Sequence, residues 1–427
     1  MLSEEDNELM CRVGPRTAMG AAMRRYWLPA LEAAELPGPD CDPVHVELLG
    51  EHFVAFRDSQ GRAGLLDELC CHRGASLLLG RVEDGGIRCL YHGWKFAVDG
   101  TVLETPNVPD VKFKTRIRAR AYAVREAGGL IWAYLGPAEK CPPFPDYPWL
   151  KLPASHRLVV MHWVESSFVQ VLEGLVDSSH LNILHADGLR ASSGSRLGFA
   201  NKVELMQRDA APRLEAEATE FGFHYAALRS SASASGPIRA RVTAFIAPCT
   251  VLNPNGDIAT MVVPRNDTSS LFYHVFWDEN RAIGEEPLRS EQLRFVGLDP
   301  ATRGSYGLGP PHNAKEPARA NRYNQSRESM RVSFTGLPGL IEEDVAVSIS
   351  PGPIRDRTRE ALSIADLAVG QLYRVLIACA RAGAEGSDPI AAQLDVRQIR
   401  GIQGDLADGK AWQTLVPHHY RRSGSAA

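Results

Sequence analysis

Cys70-Cys71-His72-Arg73-Gly74 and Cys89-Leu90-Tyr91-His92-Gly93-Trp94 are the two stretches on which the reading of this 427-residue chain turns. Each places a thiol, an imidazole and a glycine within five residues, so each predicts a tight turn instead of a continuing helix or strand. Sixteen residues lie between His72 and Cys89, which gives the pattern Cys-x-His-x16-Cys-x2-His. Two such turns facing each other present two sulfur and two nitrogen ligands to one point, a donor set suited to iron or zinc.

Two centres use such a set. In a two-iron cluster, Cys70 and Cys89 would hold one iron while His72 and His92 hold the other. This is the Rieske arrangement, in which imidazoles replacing two thiolates raise the reduction potential. A structural Cys2His2 zinc site is the competing reading. Zinc sites usually pair like ligands in each half, whereas each half here is mixed and is flanked by Arg73-Gly74 or Gly93-Trp94. The cluster is therefore the expectation. Cys71, wedged between two ligands, is read as a free thiol beside it.

Strand-length signals surround the two turns. Residues 44–50 and 52–57 alternate or run apolar, Asp58-Ser59-Gln60-Gly61 supplies a turn, and 63–66, 94–98, 101–103 and 129–136 continue the series. An all-β domain over 41–145 follows, bounded by the proline-rich Cys141-Pro142-Pro143-Phe144-Pro145. Before it, residues 1–40 carry one helix around 18–25 and are expected to pack on the second domain, 146–427. Lys112, Lys114, Arg116, Arg118 and Arg120 alternate with mostly apolar residues, so a strand there would face all five cations one way. Such a face would dock an acidic electron donor, or serve only as a solvated edge.

Composition narrows the class. Hydrophobic content of 44% and charged content of 23% are those of a globular protein, and a net charge of -4 argues against nucleic acid as a partner. No apolar run is long enough for a membrane helix, and the acidic start is unlike a signal peptide, so a cytoplasmic location is expected. The eight cysteines are dispersed, with three crowded into twenty residues, which points to metal or redox work over a disulfide framework.

The second half has its own constellation. Residues 157–164 read as a strand entering an apolar, helix-like segment that contains Asp177, His180 and His185. Asp177 and His180 share a helix face, while His185 is rotated about 140° further round, so a shared ion requires the helix to bend or end. Two imidazoles and a carboxylate with open positions is the ligand set of non-haem Fe(II) oxygenases. Strands are suggested at 221–226, 241–246, 259–264 and 270–277, a helix from Thr358 to about Arg381, and long loops at 186–200 and 284–325. His224 and His274 are read as core or pocket histidines.

Together these segments resemble the large subunit of Rieske non-haem iron ring-hydroxylating oxygenases, of the phthalate dioxygenase type. Four stretches carry the resemblance: Cys70 to Trp94; Glu173-Gly174-x2-Asp177-x2-His180-x4-His185; Asn324 to Arg331 with Phe334-Thr335-Gly336; and Glu343 to Glu360. It implies an α+β chain, an N-terminal all-β Rieske domain followed by a catalytic domain with a large antiparallel sheet flanked by helices, of helix-grip type. It also implies that His180 and His185 hold a mononuclear Fe(II) with Asp344 as third ligand, and that Asp177 is a bridge to a cluster histidine of a neighbouring subunit. Asp344 is the best match, although Glu342 and Glu343 adjoin it and a one-residue slip is open at this stage. Two departures stand out: Cys71 replaces the usual proline, and Ser167-Phe168 replaces a common Asn-Trp.

The implied activity is that of a terminal oxygenase using O2 and electrons from an NAD(P)H-dependent reductase, with or without a ferredoxin domain. It would hydroxylate or O-demethylate an aromatic, carboxylated substrate and work as a homotrimer or larger ring. Arg239 and Arg241, on a predicted strand, are candidates to pair the carboxylate. A Rieske electron carrier without oxygen chemistry is the competing class, but it has no use for a second ligand set.

Overall fold

The computed structural model describes residues 2–191, 197, 211–230, 237–254, 258–302, 316–407 and 409–416. The N-terminal segment has two short helices where one was expected, α1 (Glu4–Cys11) and α2 (Ala18–Met23), capped by the side chains of Ser3 and Thr17. Its following strand β1 (Trp27–Glu32) joins the first domain.

In that domain β2 (Val44–Leu48), β3 (Glu51–Arg57) and β4 (Ala63–Asp67) form one antiparallel sheet. The strands β5 (Arg81–Glu83), β6 (Gly86–Arg88), β7 (Lys95–Phe96) and β8 (Val102–Glu104) form a second. The pair β9 (Ala123–Ala127) and β10 (Leu130–Tyr134) completes a third with β1. Phe56, Leu66, Leu77, Ile87, Phe96 and Val102 make a small core of their own beneath the two cluster-type turns.

The expected cationic strand does not form. Residues 113–116 are a single 3-10 turn. Lys114 donates to the Leu103 carbonyl, Arg116 lies 3.5 Å from Asp110 and Arg118 is paired with Asp99 at 2.8 Å, so the cations are spent locally in different directions. Alternation marks a strand only where a neighbouring strand takes up its backbone groups.

The second domain is built on an antiparallel sheet of eight strands. These are β11 (Arg157–Val164), β12 (Arg213–Thr219), β13 (Gly222–Arg229), β14 (Ile238–Ile246), β15 (Thr250–Leu252), β16 (Ile258–Asn266), β17 (Ser269–Trp277) and β18 (Ile402–Leu406). The order is β11-β17-β16-β15-β14-β13-β12, with β18 paired to the first half of β14. The strands β13, β16 and β17 are buried along almost their whole length, because helices and loops cover the sheet. The helices are α3 (Phe168–Val176), α4 (Leu181–Leu184), α5 (Ala186–Ala191), α6 (Leu288–Val296), α7 (Leu340–Ile349) and α8 (Leu367–Glu385).

Two helix boundaries differ from expectation. The last helix begins at Leu367, nine residues later than predicted, because Ser363 and Asp366 form a capping box and Arg357 and Glu360 are held in place by buried partners. Helix α6 lies within the stretch read as loop, with Pro287 at its N-cap; residues 192–196, 198–200 and 303–315 of the two loop predictions lie outside the described residues. A Cβ on Gly383 of α8 would lie 2.3 Å from the Ala18 carbonyl, so glycine lets α8 and α2 approach backbone to backbone. The N-terminal segment thereby touches the second domain through α2 and the first through β1.

Candidate functional site: two donor clusters

The two turns of the first domain are built alike. In each, the cysteine N–H donates to the carbonyl five residues on, Ala75 or Trp94, and the glycine N–H four residues on donates back to the cysteine carbonyl at 2.9 or 3.0 Å. Gly74 and Gly93 adopt φ values of 74° and 75°, which glycine reaches without the penalty a Cβ would bring. His72 and His92 face each other with ring centroids 4.6 Å apart, and His72 stacks on Trp94 at 4.2 Å. Cys70 and Cys89 are buried, their thiols within hydrogen-bonding reach, and burial first, then the neighbouring sulfur, pushes Cys70 up to about 12. Two thiols that would repel as thiolates are what a cationic cluster neutralises. The four donors fit a [2Fe-2S] group of Rieske type. Cys71 points to solvent as a free thiol.

In the second domain the chain breaks where the ligand geometry needs it to. Helix α3 ends at Val176; Asp177 is its C-cap in extended conformation, and the one-turn α4 carries the chain from His180 to His185. The imidazole centroids of His180 and His185 stand 5.1 Å apart at 79°. Asp344, on α7, brings Oδ1 to 3.1 Å from His185 Nε2 and 3.8 Å from His180 Nε2. One donor atom from each of these three residues lies within 4.8 Å of the others. This is a compact, one-sided set of two nitrogens and one oxygen, and it fits a divalent iron with free positions.

The far side of each imidazole is also held. Asp177 Oδ2 is 3.2 Å from His180 Nδ1, while its Oδ1 accepts from Ser179 N and Oγ. Glu343 Oε2 is 2.7 Å from His185 Nδ1, and Glu343 Oε1 accepts from Thr335 Oγ1 at 2.6 Å. Carboxylates in that position fix the tautomer and the ring plane so that Nε2 points at the ion. The three adjacent acids therefore go three ways. Asp344 faces the imidazoles, Glu343 orients His185, and the buried Glu342 lies against Gly297 and Gly339, where burial raises its carboxyl to about 8. The role of Glu343 escaped sequence reading; the Thr335 that anchors it sits in a motif the sequence had singled out, Phe334-Thr335-Gly336.

Buried polar ties hold the two halves of this set together. Gln170 on α3 donates to the Ser348 and Gly352 carbonyls and accepts from Arg355 N. Glu173 accepts from Arg357 Nε at 2.5 Å and from the Tyr373 hydroxyl at 2.8 Å, and pairs with Arg355. Removing one partner of such a pair leaves an uncompensated buried charge, which costs about 3–5 kcal/mol.

A cavity of about 140 Å³ opens on this set. Asp177, His180, His185 and Asp344 line one side, and Tyr225, Arg241, Thr243, Thr260 and His274 line the sheet side. Arg241 is 5% exposed, and its Nε and Nη1 have no hydrogen-bond partner among the described residues. Burial first, then the nearby Arg229, lowers its guanidinium to about 9. Arg239 behaves differently, since it pairs with Asp405 on β18 at 3.0 Å and does not line the cavity. His274 belongs to the cavity wall, its Nε2 3.1 Å from His162, whereas His224 packs against Phe221 and is lowered to about 4 by burial. A second, larger cavity of about 630 Å³ is also lined by Asp177, His180 and Asp344.

Comparison with known proteins agrees with both domains. Residues 26–115 match the model of the Rieske [2Fe-2S] domain, and residues 133–422 match that of the LigXa C-terminal domain like family. The chain is 37% identical over 389 residues to the phthalate 4,5-dioxygenase oxygenase subunit of Pseudomonas putida, covering 88% of this chain and 86% of that one. It is 34% identical over 400 residues to the 3-chlorobenzoate-3,4-dioxygenase oxygenase subunit of Comamonas testosteroni, covering 90% and 89%. Its fold is similar to that of Pseudomonas putida CBB5 NdmA with caffeine, at a TM-score of 0.61 and 18% identity over 92% of this chain and 100% of that one. No helix among the described residues is long and apolar enough to cross a membrane. With two donor sets of the right chemistry in the two matched domains, the chain belongs to the Rieske non-haem iron oxygenases, as an oxygenase subunit with a Rieske [2Fe-2S] cluster and a mononuclear iron.

Proposed function

We propose that this subunit hydroxylates or O-demethylates an aromatic substrate that bears a carboxylate. The observation that carries the reading is Arg241, a buried guanidinium whose Nε and Nη1 find no hydrogen-bond partner among the described residues, lining the same cavity as His180, His185 and Asp344. An unpaired buried cation is costly, and a bidentate carboxylate is the partner whose geometry matches it. Apolar Phe272, Phe276 and Ile258 on the cavity wall suit an aromatic ring.

Cys70, Cys89, His72 and His92 hold the cluster in this reading, and His180, His185 and Asp344 hold the mononuclear iron. A cluster held there would supply single-electron transfer from an NAD(P)H-dependent reductase, and an iron held there would supply the activation of O2. The chain's own groups bind and orient. Arg241 sets the ring relative to the iron ligands, Glu343 and Asp177 fix the imidazoles, and the cavity wall keeps bulk water from the reacting carbon.

Asp177 is also the bridge to a neighbouring copy. Leu69, Leu79, Leu90 and Tyr91 are exposed around the cluster turns, and Ile183, Phe334, Val347 and Leu362 are exposed around the larger cavity. Two different apolar patches, one at each metal site, suit a head-to-tail contact that closes into a ring such as a homotrimer. The test is turnover of aromatic acids, their amides and their methyl ethers with labelled O2 and a reductase. Oxidation of acids with label in the product is expected; oxidation of the neutral amides at equal kcat/KM would overturn the carboxylate assignment.

A further inference from the structure

We propose that His45, His52 and Glu68 form a binding site for one divalent transition-metal ion of zinc type, on the β2–β4 sheet of the cluster domain and with ligands distinct from those of both iron centres. The three residues come from neighbouring strands. His45 lies on β2, His52 on β3 opposite Glu47, and Glu68 just past β4, where its N–H donates to the His52 carbonyl. On one face of a sheet, such opposite and diagonal positions bring long side chains into contact.

The donor geometry is that of a ligand set. His45 Nε2 and His52 Nδ1 are 3.0 Å apart, and Glu68 Oε2 is 3.8 Å from His45 Nε2. One donor atom of each residue lies within 4.8 Å of the others, as in the His180, His185 and Asp344 set. A tetrahedral ion bound at zinc–nitrogen length sets its ligands about 3.3 Å apart, between the two observed separations. Both imidazoles are exposed, so an ion reaches them without any rearrangement of the core. Two histidines and one carboxylate leave a fourth position for water, as in open zinc sites.

The site stands at the foot of the first cluster turn. Glu68 Oε1 accepts from Ser76 Oγ at 2.5 Å, and the Glu68 carbonyl accepts from Leu77 N at 2.7 Å, so an ion on Glu68 braces both ends of the segment that contains Cys70 and His72.

The experiment uses the full chain with its cluster and iron in place, dialysed free of other metals and titrated with zinc chloride by calorimetry, with elemental analysis of the gel-filtered product. One additional zinc per chain is expected without loss of iron. His45→Ala and His52→Ala, at exposed positions away from the turn, should weaken zinc binding by at least the tenfold or so that loss of even an outer partner costs. Iron and acid-labile sulfide in those variants should equal the parent's. Failure of the parent to take up zinc, uptake only in exchange for iron, or undiminished uptake by the His45→Ala/His52→Ala double variant would overturn the site; the free rings then share only a hydrogen bond.

Discussion

The paired Cys-His turns and the proposed iron-ligand set are both two-part donor arrangements, yet they are assembled on opposite principles. Each cluster turn is self-contained: Cys, His and Gly within five residues, closed by the turn's own backbone hydrogen bonds over a small separate core. The iron set joins α3–α4 to α7 across some 160 residues, and Gln170, Glu173, Arg355 and Arg357 hold the join from behind. The local design tolerates damage elsewhere, whereas the long-range design makes distant residues part of the site.

The sharpest way to break this comparison is to remove one ligand from each. His185→Ala should abolish turnover and lower iron by one per chain while sulfide and the cluster's visible spectrum persist; Cys89→Ser should do the reverse, with the mononuclear iron retained. Loss of both centres in either variant would show that the two assemblies depend on each other. Asp177→Asn comes next. It should keep both metals and normal reduction by the reductase but lose coupled product formation by about 100-fold, at the upper end of what outer carboxylates contribute.

Arg241→Met should raise KM for an aromatic acid by about 30-fold or more, since losing one partner of a buried charge pair costs roughly 2–5 kcal/mol. Arg239→Met, at a position already paired with Asp405, should leave KM nearly unchanged. Glu343→Gln should weaken iron retention by about 10- to 100-fold. It has a pH signature too. Burial opposes charge on His185, but Asp344 and Glu343 outweigh it and raise the imidazole to about 10, so iron must displace a proton from the metal-free protein. Iron affinity should therefore fall as pH drops below that value, and in Glu343→Gln the fall should begin at lower pH. The same shift has a folding consequence in the metal-free form. A pKa raised above its unfolded value of 6.5 contributes stability that is complete below pH 6.5 and lost as pH rises towards 10. The smallest effect is expected from charge reversal at Lys114 and Arg116, less than about twofold on reduction rate, because surface cations already engaged locally contribute little.

Much of the architecture was legible in the chain. Residues 157–164 do run as a strand into the α3 segment, and the predicted strands near 221–226, 241–246, 259–264 and 270–277 all lie in one antiparallel sheet, because β-branched and aromatic runs bounded by turns suit buried strands. The misreadings have a common cause. The cations from Lys112 to Arg120 alternate correctly for a strand but gain only an isolated bridge, Arg118 to Thr101, and the residues ahead of Leu367 carry helical periodicity but are broken into two short 3-10 turns, at Arg357–Arg359 and Ile364–Asp366, by the buried Arg357 and the Ser363 cap. Periodicity reports what a segment can bury and says nothing of which partner is offered.

What the sequence determined by itself was the donor chemistry: Cys70, His72, Cys89 and His92 at fixed short spacings, and His180 and His185 around a helix that has to end between Asp177 and His185. Short spacing restricts the chain to a few conformations, so residue type and interval suffice. Only the tertiary structure decided which of Glu342, Glu343 and Asp344 turns toward the imidazoles, that Arg241 lines the cavity while Arg239 pairs away from it, and that His45, His52 and Glu68 meet. Those outcomes depend on helix rotation and strand register. A shift of one residue there redirects every side chain, and only the packing of distant segments chooses between the alternatives.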